Sequence, residues 1–513
     1  MGSDGPSPPE GIFSLLDTDL YKLTMQCAIL KYFPDAGIVY APTSCAFVLY
    51  LCVVTHMLEL PTEVTYAYTN RTKDMKFTRE AYRWAKSQID KLSNLSLTPE
   101  ELEFLQSHSS YLNPAYLRYL CSFRFRPSEQ VDVSFQPISD TGADSDLGDI
   151  KMSIKGLWVE TILYEIPLLA IASEAYFKWC DRDWDYHQQE EKAFRKGCTL
   201  LEHGCVFSEF GTRRRRDYHT QDLVMRGLCS AAEKAREQAW KGTLSGTSNV
   251  HFAMKYGLEP VGTVAHEWYM GIAAITDDYE NANEIALRYW LGCFGEGVLG
   301  VALTDTFGTP VFLDAFSKPI PVYTTAAEGP ESALPSSADN SGRTGGLAQI
   351  QPPISAPIKS GGQQPTKTYA EVFTGVRQDS GDPVYFVKMV REFYDKQGIN
   401  DKKIIVFSDS LNIQLCLDYK VIAEEAGFCP VFGVGTFLTN DFTNLSDGKK
   451  SVPLNIVIKI SSAGGRPAVK LSDNLGKNTG DIQTVVEVKK RLGYVEHEWE
   501  AGDETRRWGK KGD

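Results

Sequence analysis

The sequence lacks several patterns that would indicate its class at once. Its 11 cysteines include no CxxC pair and no Cys/His spacing of a metal site, so they indicate reduced thiols rather than a disulfide or zinc framework. The phosphate-binding pattern GxxxxGK[ST] is missing, which excludes a P-loop as the route of any ATP use. No basic segment followed by an apolar core opens the chain, so we expect no signal peptide.

An excess of positive charge is also missing. Lys and Arg number 53 against 66 Asp and Glu, and the formal net charge of -13 argues against general nucleic-acid binding. A hydrophobic content of 42% with 23% charged residues is typical of a globular protein, and 513 residues are enough for two or more domains. We expect a cytoplasmic protein, and the sequence leaves an additional nuclear location open.

Against this acidic background, four successive arginines follow an aromatic residue and a glycine in Phe210-Gly-Thr-Arg213, which continues through Arg214 to Arg216. A guanidinium matches phosphate or carboxylate oxygens bidentately, and the Phe210 ring offers a stacking face. A solvated basic surface or a nuclear-import patch is the alternative. Because the run follows a predicted strand, we assign Phe210 and Arg213 to a substrate site. Arg214 to Arg216 serve phosphates or the helix that follows.

From about residue 204 onward, apolar strands alternate with helical patterns. This order predicts parallel strands, either in a barrel or in a doubly wound sheet. Gly295-Glu-Gly297-Val-Leu-Gly300 matches GxGxxG, but it follows a helix and leads into a strand, which is the reverse of a dinucleotide site. The predicted strands are Cys205–Phe210, 260–264, Val298–Leu303, Ile404–Phe407 and Pro430–Gly433.

Polar and glycine motifs follow these strands, where the catalytic groups of a barrel cluster. His266 is a candidate nucleophile toward a phosphoryl group, or a base, and Asp305 a candidate to orient it; a structural histidine is the alternative. In Arg377-Gln-Asp379, one side chain could grip an anion while the other binds hydroxyls or Mg²⁺, unless the segment is only a capped loop. Backbone amides near Ser408, Asp409, Gly433, Gly435 and Thr436 could cradle a phosphate, although tight turns and helix caps use the same residues.

Blocks along most of the chain resemble the nicotinate phosphoribosyltransferase family. They include SLLDTDLYKLTM, WVETILYEIPLLA, FGTRRRRDY, GTSNV, GTVAHEW, ALTDTF, GVRQDSGDP, VFSDSLN, FGVGTFLTND, PLNIVIK and KLSDNLGK, in family order. The resemblance implies an irregular α/β barrel of the type II phosphoribosyltransferase fold, with an open-faced α/β domain formed by the N- and C-terminal segments. The expected divisions are a disordered tail at 1–10, an N-terminal α/β domain at 11–156, the barrel at 157–445 and a completing segment at 446–513.

The resemblance also implies a reaction in NAD salvage. Nicotinate and phosphoribosyl pyrophosphate would give nicotinate mononucleotide and pyrophosphate, with Mg²⁺ bound mainly through the phosphoribosyl substrate. ATP would phosphorylate His266, supported by Asp305, and its hydrolysis would drive the condensation. The implied protein is a homodimer with shared active sites, which binds neither nucleic acid nor a membrane.

The remaining roles are carried over motif by motif. Phe210 would stack on the pyridine ring, with Tyr21 of the partner subunit on the other face. The related nicotinamide enzyme has an aspartate in place of Ser248, and an aspartate would repel a carboxylate, so Ser248 favours the acid as substrate. Arg213 and Arg377 would hold the anions of nicotinate and the ribose phosphate, and Asp379 would lie close to the ribose and Mg²⁺. The 5-phosphate would be cradled by Ser408, Asp409, Gly433, Gly435 and Thr436.

Two segments depart from the family pattern. About 26 residues, roughly 37–62, have no counterpart and include the apolar stretch Val39–Leu60, for which a membrane span, a buried hairpin or helix, and a foreign insert are the alternatives. We expect the foreign insert. The Ser/Gly/Pro-rich stretch 324–367 should be a disordered surface insertion. The alternative functions are therefore a nicotinamide phosphoribosyltransferase, or a catalytically impaired or membrane-tethered paralogue.

Overall fold

The computed structural model describes residues 9–34, 62–321, 367–474 and 478–495. The predicted insert at 37–62, the predicted loop at 324–367 and the predicted tail at 1–10 lie almost wholly outside these ranges. Among the described residues, no helix combines the length and the apolar character needed to cross a bilayer. The membrane-span alternative for Val39–Leu60 lies outside the described residues.

One sheet combines strands from the two ends of the chain, and all of its strand pairs are antiparallel. Its strands follow the order β12-β11-β1-β4-β2, with β3 also paired to β4. The C-terminal strand β11 runs antiparallel to β1, with Tyr66 opposite Ile460 and Tyr68 opposite Ile458. The strands are β1 (Glu63–Asn70), β2 (Phe77–Thr78), β3 (Val131–Pro137), β4 (Leu147–Leu157), β11 (Ile456–Ala463) and β12 (Arg466–Pro467). Whether the domain boundaries follow this pairing stays a prediction.

The helices before the barrel begin at local sequence signals. A capping box of Thr98 and Glu101 starts the helix at Pro99. Pro127 begins a short helix, and the strand that follows it starts at Val131. The helices are α1 (Leu20–Tyr32), α2 (Arg79–Lys91), α3 (Pro99–His108), α4 (Pro114–Ser122), α5 (Pro127–Gln130), α6 (Trp158–Thr161) and α7 (Glu165–Trp179), with 3-10 turns at Leu92–Asn94 and Ile162–Tyr164.

The second sheet consists of six strands that are all parallel, in the order β6-β5-β10-β9-β8-β7. The segment predicted as a strand at 260–264 forms only one bridge, Pro260 with Thr247, so the barrel is irregular between β6 and β7. The predicted fold class, an irregular α/β barrel with an open-faced α/β unit, is confirmed. The strands are β5 (Val206–Glu209), β6 (Thr243–Thr247), β7 (Val301–Leu303), β8 (Gly375–Gln378), β9 (Ile404–Phe407) and β10 (Cys429–Val434).

Helices connect these strands and bury the apolar sheet faces. Because all six strands run the same way, their carboxyl ends meet at one edge of the sheet, where βα loops gather. The helices are α8 (Gln189–Glu202), α9 (Tyr218–Glu237), α10 (Val250–Tyr256), α11 (His266–Thr276), α12 (Ala282–Phe294), α13 (Thr309–Phe316), α14 (Tyr369–Val372), α15 (Pro383–Lys396), α16 (Ile413–Glu425), α17 (Thr436–Thr439) and α18 (Ile482–Arg491), with a 3-10 turn at Thr212–Arg214.

Candidate active site

His266 begins α11, directly after Ala265 in the extended N-cap position. Its Nδ1 lies 3.0 Å from Oγ1 of Thr306, and its Nε2 lies 2.8 Å from Nζ of Lys470 and 3.0 Å from Oδ2 of Asp379. Burial and the Lys470 ammonium lower the pKa of His266 to about 4, against the opposing pull of nearby carboxylates. The imidazole is therefore neutral at physiological pH, as a nucleophilic histidine must be.

Asp305 follows β7 and was predicted to orient this ring by accepting its second N–H. Its Oδ1 lies 3.9 Å from Nε2, beyond hydrogen-bond distance, and Thr306 occupies the Nδ1 side instead. The Asp305 carboxylate accepts from Ser380 and pairs with Lys470 at 3.1 Å. The prediction that Asp305 orients the ring by a direct hydrogen bond is therefore wrong. Asp305 acts on the imidazole through its charge and through Lys470, which contacts both groups.

Arg377 and Asp379 leave β8 on the same side, as their two-residue spacing predicts, and they form an ion pair of 2.8 Å. The guanidinium also donates to Oγ of Ser408 and to Oγ1 of Thr263, both at 2.8 Å. The Ser408 hydroxyl donates to Asp379 at 2.8 Å. Arg377 and His266 together hold the pKa of Asp379 well below its usual range. The histidine, Arg377 and Ser408 are therefore parts of one connected network.

Phe210 lies where β5 ends beside β10, and its backbone N donates to the carbonyl of Val434 at 2.8 Å. Any side chain at Gly433 would overlap two carbons of the Phe210 ring, and a side chain at Gly435 would approach the Phe210 carbonyl to 2.9 Å. Gly433 is therefore needed to seat the aromatic ring, and Gly435 lets the chain pass close to the Phe210 backbone. Their predicted role in cradling a phosphate stays a prediction.

The other predicted phosphate residues lie at the ends of adjacent strands. Ser408 and Asp409 follow β9, and Thr436 begins the single-turn helix α17 after β10. The two strands pair in parallel, with Phe407 opposite Phe432, so the two turns emerge side by side. The structure thus brings these turns to the same edge as His266 and Arg377.

The start of α1 is fixed on the barrel of its own chain. Leu20 N donates to the carbonyl of Ser248 at 2.8 Å, and the Ser248 hydroxyl donates to Oδ1 of Asp19 at 2.8 Å. Tyr21, which follows, lies close enough to Arg213 for the guanidinium charge to act on the pKa of the phenol. Tyr21 therefore lies beside Arg213 of its own chain, because these two bonds anchor α1 there. That Tyr21 of the partner subunit stacks on the pyridine ring stays a prediction.

The arginine run divides into two pairs. Arg213 has a half-open side chain, 42% exposed, that lies 3.9 Å from Glu165. Arg214 donates to Asn455 at 3.0 Å. Arg215 and Arg216 are fully buried. The solvated-surface alternative is therefore wrong for the second pair.

Each buried arginine has its own structural partners. Arg215 forms a bidentate pair with Asp17 at 2.8 and 2.7 Å. The Arg216 guanidinium lies 3.9 Å from the ring centre of Phe177 and 4.0 Å from that of Phe442. Arg215 and Arg216 therefore hold the fold together, and the exposed positive charge of the run lies at its start.

Sequence reasoning missed Lys470, the group nearest to Nε2 of His266. It lies in the KLSDN block that carried the resemblance, but nothing in that block marks it as a partner of a histidine 204 positions away. A second lysine, Lys459 on β11, has its pKa lowered to about 7 by burial and by the charges of Lys470 and Arg71. The C-terminal strand thus brings further cations toward the barrel edge.

His266, Asp305 and Asp379 each place one donor atom within 4.8 Å of the others. Two carboxylates suit Mg²⁺, which prefers oxygen ligands, but a histidine and the Lys470 ammonium beside Asp305 do not. These residues therefore fit Mg²⁺ only in part, with substrate phosphates and water completing its coordination. Asp379 is the carboxylate more open to such an ion, since Asp305 is almost fully buried.

The fold and the site define an α/β-barrel protein that gathers cations around a neutral histidine, with an aromatic ring nearby. Comparison with known proteins gives the family. The family model of the nicotinate phosphoribosyltransferase N-terminal domain matches residues 48–173, and that of the nicotinate phosphoribosyltransferase family matches 205–325 and 357–496.

Individual relatives agree over nearly the full length. The chain is 41% identical to a nicotinate phosphoribosyltransferase of Saccharomyces cerevisiae over 97% of this chain and 99% of that protein. It is 36% identical to one of Methanosarcina mazei over 92% and 95%. The crystal structure of nicotinate phosphoribosyltransferase from Porphyromonas gingivalis superimposes with a TM-score of 0.70 at 31% identity, covering 94% of this chain and all of that one. The chain belongs to the nicotinate phosphoribosyltransferase family.

Proposed function

We propose that this protein condenses nicotinate with phosphoribosyl pyrophosphate in NAD salvage. The observation that carries the proposal is the meeting of two half-sites at one barrel edge: a pyridine pocket at Phe210, Arg213 and Ser248, and a cation-lined phosphate region at Arg377 and Lys470. A flat anion and a sugar phosphate are the ligands that these groups match.

In the proposed reaction, the pyridine nitrogen of nicotinate attacks C1 of the ribose, and the bond from C1 to the pyrophosphate oxygen breaks. The electron pair of that bond leaves with pyrophosphate, so no protein base is required. Positive charge develops on the ribose, and ordered reactants contribute most of the acceleration. Phe210 and Tyr21 border the ring's position, while Arg377 and Lys470 would bind the phosphate groups.

ATP use is proposed to pass through His266. Its neutral Nε2 attacks the γ-phosphorus, the bond to the bridging oxygen breaks, and ADP leaves. Lys470, 2.8 Å from Nε2, would then face the transferred phosphoryl group. Mg²⁺ would be held by the substrate phosphates with Asp379 as the nearest protein oxygen, and it supplies charge neutralisation there. Water later removes the phosphoryl group, which couples ATP hydrolysis to condensation.

The test is incubation of the full chain with γ-labelled ATP. Acid-labile label on the wild type, absent from His266→Ala and retained in the control His251→Ala, is the expected result. His251 is a partly buried histidine of α10 whose Nε2 lies 3.1 Å from the Tyr218 hydroxyl, and it takes part in none of the contacts given above for His266. Label that persists in His266→Ala would refute the phosphohistidine, while formation of nicotinate mononucleotide tests the condensation separately.

A nicotinamide-using enzyme is the second candidate, and Ser248→Asp discriminates between the two. A carboxylate at this buried position would repel nicotinate and accept from a carboxamide, so the preference should move toward the amide. Undiminished use of nicotinate by this variant would refute the selectivity argument. The proposed protein acts in the cytoplasm as a homodimer with shared active sites.

A further inference from the structure

The hydroxyl of Ser248 is hydrogen-bonded to a second buried residue, Asp19. Its single hydrogen is donated to Oδ1 of Asp19 at 2.8 Å, and both residues are 3% exposed. Ser248 N donates to the carbonyl of Glu209 at 2.8 Å, which places the serine next to Phe210. The pyridine pocket therefore contains a buried carboxyl group, contributed by the residue that precedes α1.

The ionisation of Asp19 decides what Ser248 can offer to a substrate. An ionised carboxylate only accepts, so it holds the Ser248 hydrogen and leaves only lone pairs for the substrate. Lone pairs attract the N–H₂ of a carboxamide and repel a carboxylate. A protonated Asp19 would instead donate to Ser248 and release its O–H toward a carboxylate, and it would also lose its own repelling charge.

We infer that Asp19 is a second specificity-determining residue of the pyridine pocket, which selects the acid substrate by taking up one proton when that substrate binds. This inference rests on the proposed function. In this inference, Asp19 and Ser248 together select between the acid and the amide substrate. The role proposed for Ser248 alone depends only on the absence of an aspartate at position 248.

The surroundings of Asp19 favour proton uptake. Burial raises the pKa of Asp19, and the Glu165 carboxylate raises it further, while Ser248, Arg213 and Thr212 oppose these effects. The charged or titratable groups that face Asp19 are Arg213 from the 3-10 turn, Glu165 from α7, Glu209 from β5 and Tyr21 from α1. An incoming carboxylate adds negative charge to this set, and so raises the pKa of Asp19 again.

The experiment compares kcat/KM for nicotinate and nicotinamide between pH 6 and 9 in wild type and Asp19→Asn. Wild-type kcat/KM for nicotinate should fall about tenfold per pH unit above the pKa of Asp19, because one proton is required. Asparagine carries the hydrogens of a protonated aspartate and no charge. Asp19→Asn should therefore use nicotinate with a flat profile over the same range.

Glu209→Gln is the matched control. Glu209 is a second buried carboxyl group with a raised pKa; its carboxyl group contacts Thr247 and Gln221, and only its backbone carbonyl meets Ser248. Because Glu209 also acts on Asp19 through charge, its variant should shift the pH at which the nicotinate profile begins to fall but keep the wild-type slope. A slope that disappears in Glu209→Gln and persists in Asp19→Asn would overturn the inference.

A second measurement needs no variant. Calorimetric titration of the wild type with nicotinate, in two buffers of different ionisation enthalpy, should show uptake of a proton, and titration with nicotinamide should show none. Equal proton uptake for both ligands, or none for nicotinate, would overturn the inference. A wild type that forms no product from nicotinate at any pH would refute the proposed function itself, which is a different outcome.

Discussion

Nζ of Lys470 lies 2.8 Å from Nε2 of His266 and 3.1 Å from Oδ2 of Asp305. An ammonium group only donates and an ionised carboxylate only accepts, so Nε2 lies between a donor, Lys470, and an acceptor, Asp379 at 3.0 Å, while Nδ1 faces the Thr306 hydroxyl, which can do either. The tautomer with the ring hydrogen on Nδ1 engages Lys470 and carries the Nε2 lone pair that a nucleophile needs. The same lysine pairs with the carboxylate of Asp305 and lowers the pKa of the imidazole.

Replacing Lys470 by alanine should raise the pKa of His266 above its value of about 4, because two carboxylates remain near the ring without the opposing cation. Phosphorylation of His266 would then be lost at a higher pH as the solution is acidified, by one pH unit or more. The measurement is the pH profile of label transfer from ATP. Lys470→Arg keeps the charge and should keep the wild-type acid limb; an unmoved limb in Lys470→Ala would contradict the assignment.

The Phe210 ring packs directly against the backbone of Gly433. Gly433→Ala should displace the ring, raising KM for nicotinate about tenfold and destabilising the fold by about 1–3 kcal/mol, as overpacking does. Steady-state kinetics and chemical unfolding check both effects. In a Phe210→Ala background, Gly433→Ala should cost far less stability, since the clashing ring is gone. Equal destabilisation in the two backgrounds would show that the ring is not the reason for the glycine.

Arg215 and Asp17 form a fully buried, bidentate ion pair. Arg215→Ala leaves the Asp17 carboxylate buried and unpaired, so the free energy of unfolding should fall by about 3–5 kcal/mol. Asp17 lies two residues before Asp19 in the same segment, so a displacement of Asp17 should also move Asp19 and raise KM for nicotinate.

Arg195→Ala is the control for that variant. Arg195 forms an exposed pair with Glu191 on α8, with 73% and 50% of the two side chains accessible, and its loss should cost less than about 0.5 kcal/mol. Equal losses in the two arginine variants would contradict a structural role for Arg215.

The sequence predicted the residues that parallel strands bring together. His266, Asp379 and Ser408 follow strands or strand-like segments, Arg377 lies near the end of β8, and parallel geometry alone requires those ends to share one edge. The aromatic residue before the arginines was predicted for the same reason. Local order along the chain was enough for these residues.

The rest depended on pairing between distant segments. Lys470 reaches His266 because of how the C-terminal segment folds back, and no local pattern marks that contact. Arg215 is buried by Asp17, 198 positions earlier, so a run of four arginines resembled one surface patch. The place of α1 beside Arg213 likewise depends on bonds that join Ser248 to Asp19 and Leu20, more than 200 positions earlier in the chain.

Glu174 gives a pH dependence of stability that is separate from catalysis. Its carboxyl group accepts from the backbone N of Gly11 at 3.1 Å, and burial, with Asp217 nearby, raises its pKa from 4.5 to about 8. The unfolded chain therefore releases this proton at a lower pH than the folded chain, and stability should fall as pH rises from about 4.5 to about 8. The maximal slope is about 1.4 kcal/mol per pH unit.

Glu174→Gln keeps an acceptor for Gly11 and removes the titration, so the wild-type loss of unfolding free energy between pH 5 and 8 should be reduced in this variant. Chemical unfolding at several pH values measures the difference. The exposed Glu191→Gln is the control and should follow the wild type, because that carboxyl group is half accessible on α8. If Glu174→Gln and wild type lose stability in parallel, the buried carboxyl group is ionised throughout that range, and Gly11 together with Arg215 must hold its charge.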